Sequence, residues 1–173
     1  MDLILSLFLA VPTLVVLILL YFPVTADGGL LFFKQERVGK DGKMFTIYKI
    51  RTMREGEITR IGLILRKFRI DELPQIANIL IGDMSFVGPR PRPREEELLL
   101  TAKIPDYARR AGVIPGVTGW AQIRVGRVDP NEMDNIRETV FFEGRHLNER
   151  GIVQEYLTVL TLTVLVILWG RGQ

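Results

Sequence analysis

Residues 3–24, LILSLFLAVPTLVVLILLYFPV, form an uncharged apolar run that fixes what the rest of the chain can do. As a helix it would be roughly 33 Å long at 1.5 Å per residue, enough to cross a hydrocarbon core. No basic segment precedes it and no A-x-A-like site follows, so it reads as a retained membrane element and not a cleaved leader. From residues alone, a single span is the first reading, and a re-entrant hairpin within one leaflet is the alternative. Pro12 removes a backbone donor near the middle of the run, and Ser6 and Thr13 could satisfy the freed carbonyls. Beyond residue 33 the chain is rich in Lys and Arg, which places that part in the cytoplasm by the positive-inside rule.

At 173 residues, one domain with an appended membrane element is expected. Apolar residues are 47% of the chain and charged residues 25%, the balance of a folded protein. The net charge of +3 and pI near 9.4 suit a surface that meets anionic lipid, nucleotide or phosphate. There is no cysteine, which excludes disulfides, thiolate metal sites and cysteine nucleophiles. The lone histidine, His146, argues against a zinc site or a Ser-His triad and reads as a packing residue. No P-loop or dinucleotide fingerprint is present.

Along the soluble part, 30–35 and 44–50 read as strands joined by a turn at 39–42. Residues 59–68 read as a helix with Ile61, Ile64, Leu65 and Phe68 on its apolar face. A second helix is predicted from Asp71 to Gly82, with Leu73, Ile76, Ala77, Leu80 and Ile81 at helical spacing and Pro74 in its first turn. Residues 83–93 read as loop, 94–103 and 106–111 as short helices, 120–125 as a strand and 130–150 as a charged helix. Residues 152–169 read as a span, an interfacial helix, or a helix packed on the domain.

The acidic pair Asp71-Glu72 is the chemical signal. At a helix start, free N–H groups would keep Asp71 ionised, as a carboxylate nucleophile requires. Adjacent side chains diverge, so one carboxylate could attack while the other holds a hard cation such as Mg²⁺. Taken alone, each element has a plainer reading: Asp-Glu as a helix cap, Arg90 as a surface arginine between turn prolines, Lys49 and Arg51 as solvated strand residues.

Together, QERVG (35–39), YKIRTM (48–53), DELPQ (71–75), GDMSFVGPRP (82–91) and PGVTGWAQI (115–123) stand in an order that resembles the bacterial sugar transferase family, the small monotopic phosphoglycosyl transferases. The resemblance runs from about Asp2 to Gly172. It implies transfer of a sugar-1-phosphate from a nucleotide diphosphate sugar, usually a UDP-sugar, to a polyprenyl phosphate such as undecaprenyl phosphate. UMP is released through a covalent aspartyl-phosphosugar intermediate. This is the first membrane step of bacterial polysaccharide and glycoconjugate synthesis. It also implies an α+β, mostly helical fold in three parts. These are a re-entrant membrane helix over 1–24 broken near Pro12, a cytoplasmic catalytic domain over 25–151, and an interfacial helix over 152–173. The place would be the inner membrane, with the catalytic domain on the cytoplasmic face. Asp71 is then the nucleophile, and Glu72 a magnesium ligand or acid–base partner, with both carboxylates available to Mg²⁺. Arg90 is implied as a phosphate binder, with Lys49, Arg66 and Arg127 as further phosphate or nucleotide contacts. A homodimer is compatible with the family.

Four departures stand out. Only Met1 precedes Asp2, where the family usually has Lys or Arg. TADGG (25–29) replaces a Ser-Pro-Gly-Pro-like stretch. The segment between Met53 and Ile58 is short. Residues 143–155 match poorly, with Glu143, His146 and Glu155 at positions where aspartate and tyrosine are usual. A non-catalytic membrane-anchored module remains the rival reading. Nucleic-acid binding is disfavoured, because the basic residues lack an aromatic-rich reading face.

Overall fold

The computed structural model describes residues 1–104, 107–124 and 152–168. Leu, Ile, Val and Phe with no charge make Asp2–Thr25 a helix of 24 residues, α1. It is one helical element that contains Pro12 and Pro23. A proline deletes one backbone donor, and the neighbouring turns hold the helix together. Ser6 does not take up the freed carbonyl: its Oγ is fully buried and has no hydrogen-bond partner.

α1 lies along the soluble part. At its start the Asp2 carboxylate accepts from the Phe86 backbone N–H at 3.4 Å and from the Tyr156 hydroxyl. Leu5 and Leu9 pack on a core of Phe45, Ile47, Ile76, Ile79, Met84 and Phe86. Leu17 and Leu20 pack on a second core built by Val24, Ile50 and Leu65. At its end the Arg51 guanidinium donates to Val24 O, to both Asp27 carboxylate oxygens and, at 2.9 Å, to Leu30 O. These hydrogen bonds hold the Asp27 carboxyl well below its ordinary range. The divergent TADGG stretch is thus closed by Asp27 and Arg51. Most of the opposite face of α1 stays exposed, including Ile4, Phe8, Leu19 and Phe22.

The expected hairpin is present: β1 (Phe32–Val38) pairs antiparallel with β2 (Met44–Ile50), from Phe32 opposite Ile50 to Val38 opposite Met44. A small ladder of β3 (Met53–Arg54) and β4 (Glu57–Ile58) follows. Thr59 caps α2 (Arg60–Lys67), its hydroxyl accepting from Gly62 N at 2.9 Å.

Three expectations are corrected. The segment from Asp71 is not one α-helix but a 3₁₀ turn, Ile70–Gln75, running into a short α3, Ile76–Leu80. Pro74 within that turn and the left-handed backbone of Arg69 before it (φ 53°) explain why a regular α-helix does not start there. Gly82 ends α3 with φ 87°, as expected. Second, the stretch read as pure loop contains β5 (Ser85–Val87), paired parallel with β6 (Gly116–Thr118). Third, Trp120–Arg124 is a helix, α5, because the strand residues lie just before Gly119 and Ile123 N donates back to Gly119 O.

α4 (Arg94–Lys103), a 3₁₀ turn at Tyr107–Gly112 and α6 (Ile152–Leu168) complete the described elements. α6 packs on the domain through fully buried Val159, a Thr118–Thr163 hydroxyl contact and a bond from Trp120 Nε1 to Glu155 at 3.1 Å. Its Val153, Leu157, Val164 and Leu168 are exposed. The 130–150 helix, Arg127, Glu143 and His146 lie outside the described residues.

Gly88 and Gly116 hold the β5–β6 seam in direct backbone contact. A Cβ on Gly116 would stand 2.0 Å from Gly88 N, and one on Gly88 would stand 2.5 Å from Ile114 O. Gly116→Ala is therefore expected to destabilise the fold by about 3 kcal/mol. The loss shows as a lowered thermal unfolding midpoint, and an unchanged midpoint would refute the close approach.

Candidate active site

Alternation along β1 and β2 puts Phe33, Gln35 and Arg37 on the same face as Lys49. The 3₁₀ turn brings Asp71 up against that face, α2 contributes Arg66, and the loop after β5 contributes Arg90. Together they line a cavity of about 460 Å³. Its wall carries five cationic side chains (Arg37, Lys49, Arg51, Arg66 and Arg90) against two carboxylates, Asp71 and Glu55. Such a surplus of fixed positive charge favours a polyanion.

The two members of the acidic pair part company. Both are buried, at 4% and 7% exposure, but Asp71 lines the cavity and Glu72 does not. Glu72 Oε1 accepts from Lys49 Nζ at 2.9 Å and lies 3.9 Å from Arg90 Nη1, and Oε2 lies 3.7 Å from Arg69 Nη1. Burial pushes the Glu72 carboxyl up, but Lys49, Arg90 and Arg69 outweigh it and hold the group down at about 2. A carboxyl held there is ionised near neutrality, so Glu72 can accept a proton or ligate a cation but not donate a proton. Burial lowers the Lys49 ammonium, against the pull of Glu72. Burial, with Arg90 beside it, lowers Arg37 to about 10.

The helix-terminus argument for Asp71 does not carry over, because α3 is only five residues and starts after it. The negative charge of Glu72 is held by side-chain cations instead. Arg66 lines the cavity and donates from Nε to Thr52 Oγ1 at 2.9 Å. Asp71, Lys49, Arg66 and Arg90 thus share one cavity, and Glu72 is paired with Lys49 and Arg90. Three arginines escaped sequence reasoning, among them Arg51, read as a solvated strand residue. Arg37 stands inside the QERVG motif with a legible signal, two-residue alternation with Gln35. Arg69 has none, since a left-handed backbone at an arginine leaves no mark in the sequence.

For a divalent cation, the donors on this wall are carboxylates. Among the described residues no cluster of three or more His, Cys, Asp or Glu side chains exists. Glu72 Oε2 is buried with no hydrogen-bond partner, and the neighbouring Asp71 faces the cavity. That set fits Mg²⁺, which commonly takes one or two carboxylates and completes its shell with water and substrate phosphates.

The folded protein depresses the Glu72 carboxyl from 4.5 to about 2, so its contribution to stability is present above pH 4.5 and is lost as pH falls toward 2. The unfolding midpoint of the wild type should drop across that window. Glu72→Gln should flatten this part of the profile and cost about 3–5 kcal/mol at neutral pH by leaving buried cations unbalanced. An identical acid profile in the variant would refute the assignment.

Comparison with known proteins gives the same direction. The family model for bacterial sugar transferase matches residues 1–170. The chain is 48% identical over 108 residues to the uncharacterized sugar transferase EpsL of Bacillus subtilis, covering 56% of this chain and 52% of that protein. It is 37% identical over 158 residues to a UDP-N-acetylgalactosamine-undecaprenyl-phosphate N-acetylgalactosaminephosphotransferase of Aeromonas hydrophila, covering 83% of this chain and 37% of the relative. It is 33% identical over 162 residues to the exopolysaccharide production protein PSS of Rhizobium leguminosarum, covering 83% of this chain and 81% of the relative. The chain therefore spans about half or less of the length of the first two of these relatives. With a family match along nearly its whole length, the chain belongs to the bacterial sugar transferase family.

Proposed function

We propose that this chain is a phosphoglycosyl transferase. It moves a sugar-1-phosphate from a UDP-sugar to a polyprenyl phosphate and releases UMP. The observation that carries the reading is Asp71 lining a cation-rich cavity beside an ionised Glu72 held by Lys49, Arg69 and Arg90. Relatives named as undecaprenyl-phosphate sugar phosphotransferases support it.

An Asp71 carboxylate oxygen attacks the sugar-bearing phosphorus of the donor. The new P–O bond forms as the bond from that phosphorus to the bridging diphosphate oxygen breaks, and UMP leaves with the electron pair. A phosphate oxygen of the acceptor lipid then attacks the same phosphorus. The aspartyl bond breaks, Asp71 is regenerated and a polyprenyl diphosphosugar departs. Lys49, Arg66 and Arg90 neutralise the charge on the diphosphate and on leaving UMP, the dominant requirement of phosphoryl transfer. When bound at the acidic pair, Mg²⁺ would add charge neutralisation of the phosphate oxygens. Glu72 keeps the cations aimed.

The topology reading follows from α1. Both of its ends are bonded to one domain, Asp2 to Phe86 and Tyr156, and Val24 to Arg51. A bilayer-crossing helix of this length would place its ends about 36 Å apart on opposite faces. We therefore place α1 within one leaflet, with both ends at the cytoplasmic face of the inner membrane and α6 at the interface. The exposed apolar faces of α1 and α6 support this.

Asp71→Asn should lower UMP release from UDP-sugar, undecaprenyl phosphate and Mg²⁺ by on the order of 10³-fold or more without moving the unfolding midpoint. Undiminished turnover would sink the nucleophile. A folded wild type that binds anionic vesicles yet releases no UMP from any donor would favour the non-catalytic anchor.

Because the chain has no cysteine, Leu3→Cys and Ala26→Cys each give a single label site. Both should react with a membrane-impermeant maleimide from the cytoplasmic side only. Labelling from opposite sides would establish a span.

A further inference from the structure

Prolines at 89, 91 and 93 strip the Arg90 loop of backbone donors, so its carbonyls must hold it in place. Four consecutive carbonyls do so, accepting from the end of β1, from Arg110 and from Gly116. Gly116 N donates to Pro89 O at 2.9 Å, the Arg110 guanidinium to Arg90 O, Arg37 Nη1 to Pro91 O at 3.2 Å, and Val38 N to Arg92 O at 2.9 Å. Of the two arginines, Arg37 also faces the cavity, whereas Arg110 is outside its lining.

Arg110 is itself oriented. It is 8% exposed, its Nη1 donates to the Tyr107 hydroxyl at 2.6 Å, and its guanidinium carbon lies 5.0 Å from the Tyr107 ring centre. The Tyr107 hydroxyl in turn donates to Glu97 Oε2 at 3.2 Å, and Glu97 Oε1 lies 3.8 Å from Arg110 Nε. The guanidinium is thereby fixed at its ring face, at one terminal nitrogen and at Nε. Its other terminal nitrogen delivers a charge-assisted hydrogen bond to the residue that bears the cavity arginine.

We infer that Arg110 is a positioning residue for the reaction: by holding the Arg90 carbonyl it aims the Arg90 guanidinium at the anion cavity. What Arg90 binds rests on the transferase reading; where Arg90 is held does not. The inference predicts that Arg110 acts through Arg90 and not in parallel with it.

Two measurements test it. In hydrogen–deuterium exchange, Arg110→Met should speed exchange of the peptide spanning 86–94 by about tenfold, the scale of one charged hydrogen bond to a buried carbonyl. The β1–β2 hairpin should keep its rates. In UMP-release kinetics with UDP-sugar, Arg110→Met should raise the donor KM about tenfold with a smaller change in kcat. Arg90→Met combined with Arg110→Met should be no worse than Arg90→Met alone, within about twofold. Arg110→Lys keeps the charge but loses the fork, and should fall between wild type and Arg110→Met. If Arg110→Met does not fold, Arg110→Lys carries both measurements. Unchanged loop exchange, or multiplicative effects of the two substitutions, would overturn the inference. A wild type that releases no UMP from any donor would overturn the transferase reading, and loop exchange would still decide the role of Arg110.

Discussion

The site hangs on one buried carboxylate. Glu72 is enclosed by protein, yet Lys49, Arg69 and Arg90 surround it and keep it charged. Each cation comes from a different place: a strand, a strained backbone position and a proline-bounded loop. Without an anion among them, these groups would repel one another and turn toward water. The Glu72 charge thus assembles the cationic wall and leaves its neighbour Asp71 to face the cavity. One dipeptide supplies both the charge held among the cations and the carboxylate that lines the cavity.

Much of this was legible in the sequence because it is local. Two-residue alternation gave the hairpin, the apolar spacing of Ile61, Ile64, Leu65 and Phe68 gave α2, and Gly82 gave a stop. The acidic pair, Lys49, Arg66 and Arg90 were found as candidates; Asp71, Lys49, Arg66 and Arg90 line one cavity, and Glu72 pairs with Lys49 and Arg90 beside it. What failed did so for nonlocal reasons. Ser85–Val87 becomes a strand only because Gly116–Thr118, thirty-one residues on, lies beside it in parallel register. Trp120–Arg124 looked like a strand because the true strand residues sit immediately before it. The helix at Asp71 was overcalled because helical spacing from Leu73 to Ile81 says nothing of how Pro74 and a left-handed Arg69 tighten the first turn.

The membrane helix shows the same limit. Its length and lack of charge predicted membrane residence, and Pro12 suggested a break. The structure carries one helical element through Pro12. What bears on its placement is a pair of tethers at its two ends, Asp2 to Tyr156 and Val24 to Arg51, which join residues far apart in sequence. Ser6 and Thr13, which looked like helpers for a kinked backbone, are instead the polar positions turned inward toward the domain.

The glycine seam between β5 and β6 has a practical consequence for genetics. Gly88 adjoins the Arg90 loop, and Gly116 sits in a motif that looks catalytic by position. A screen for lost activity would score both as active-site residues. Their backbones touch, so a side chain at either one spoils the scaffold first, and the missing activity is secondary. Scoring each inactive allele for soluble, folded protein separates such scaffold lesions from those in the cavity wall.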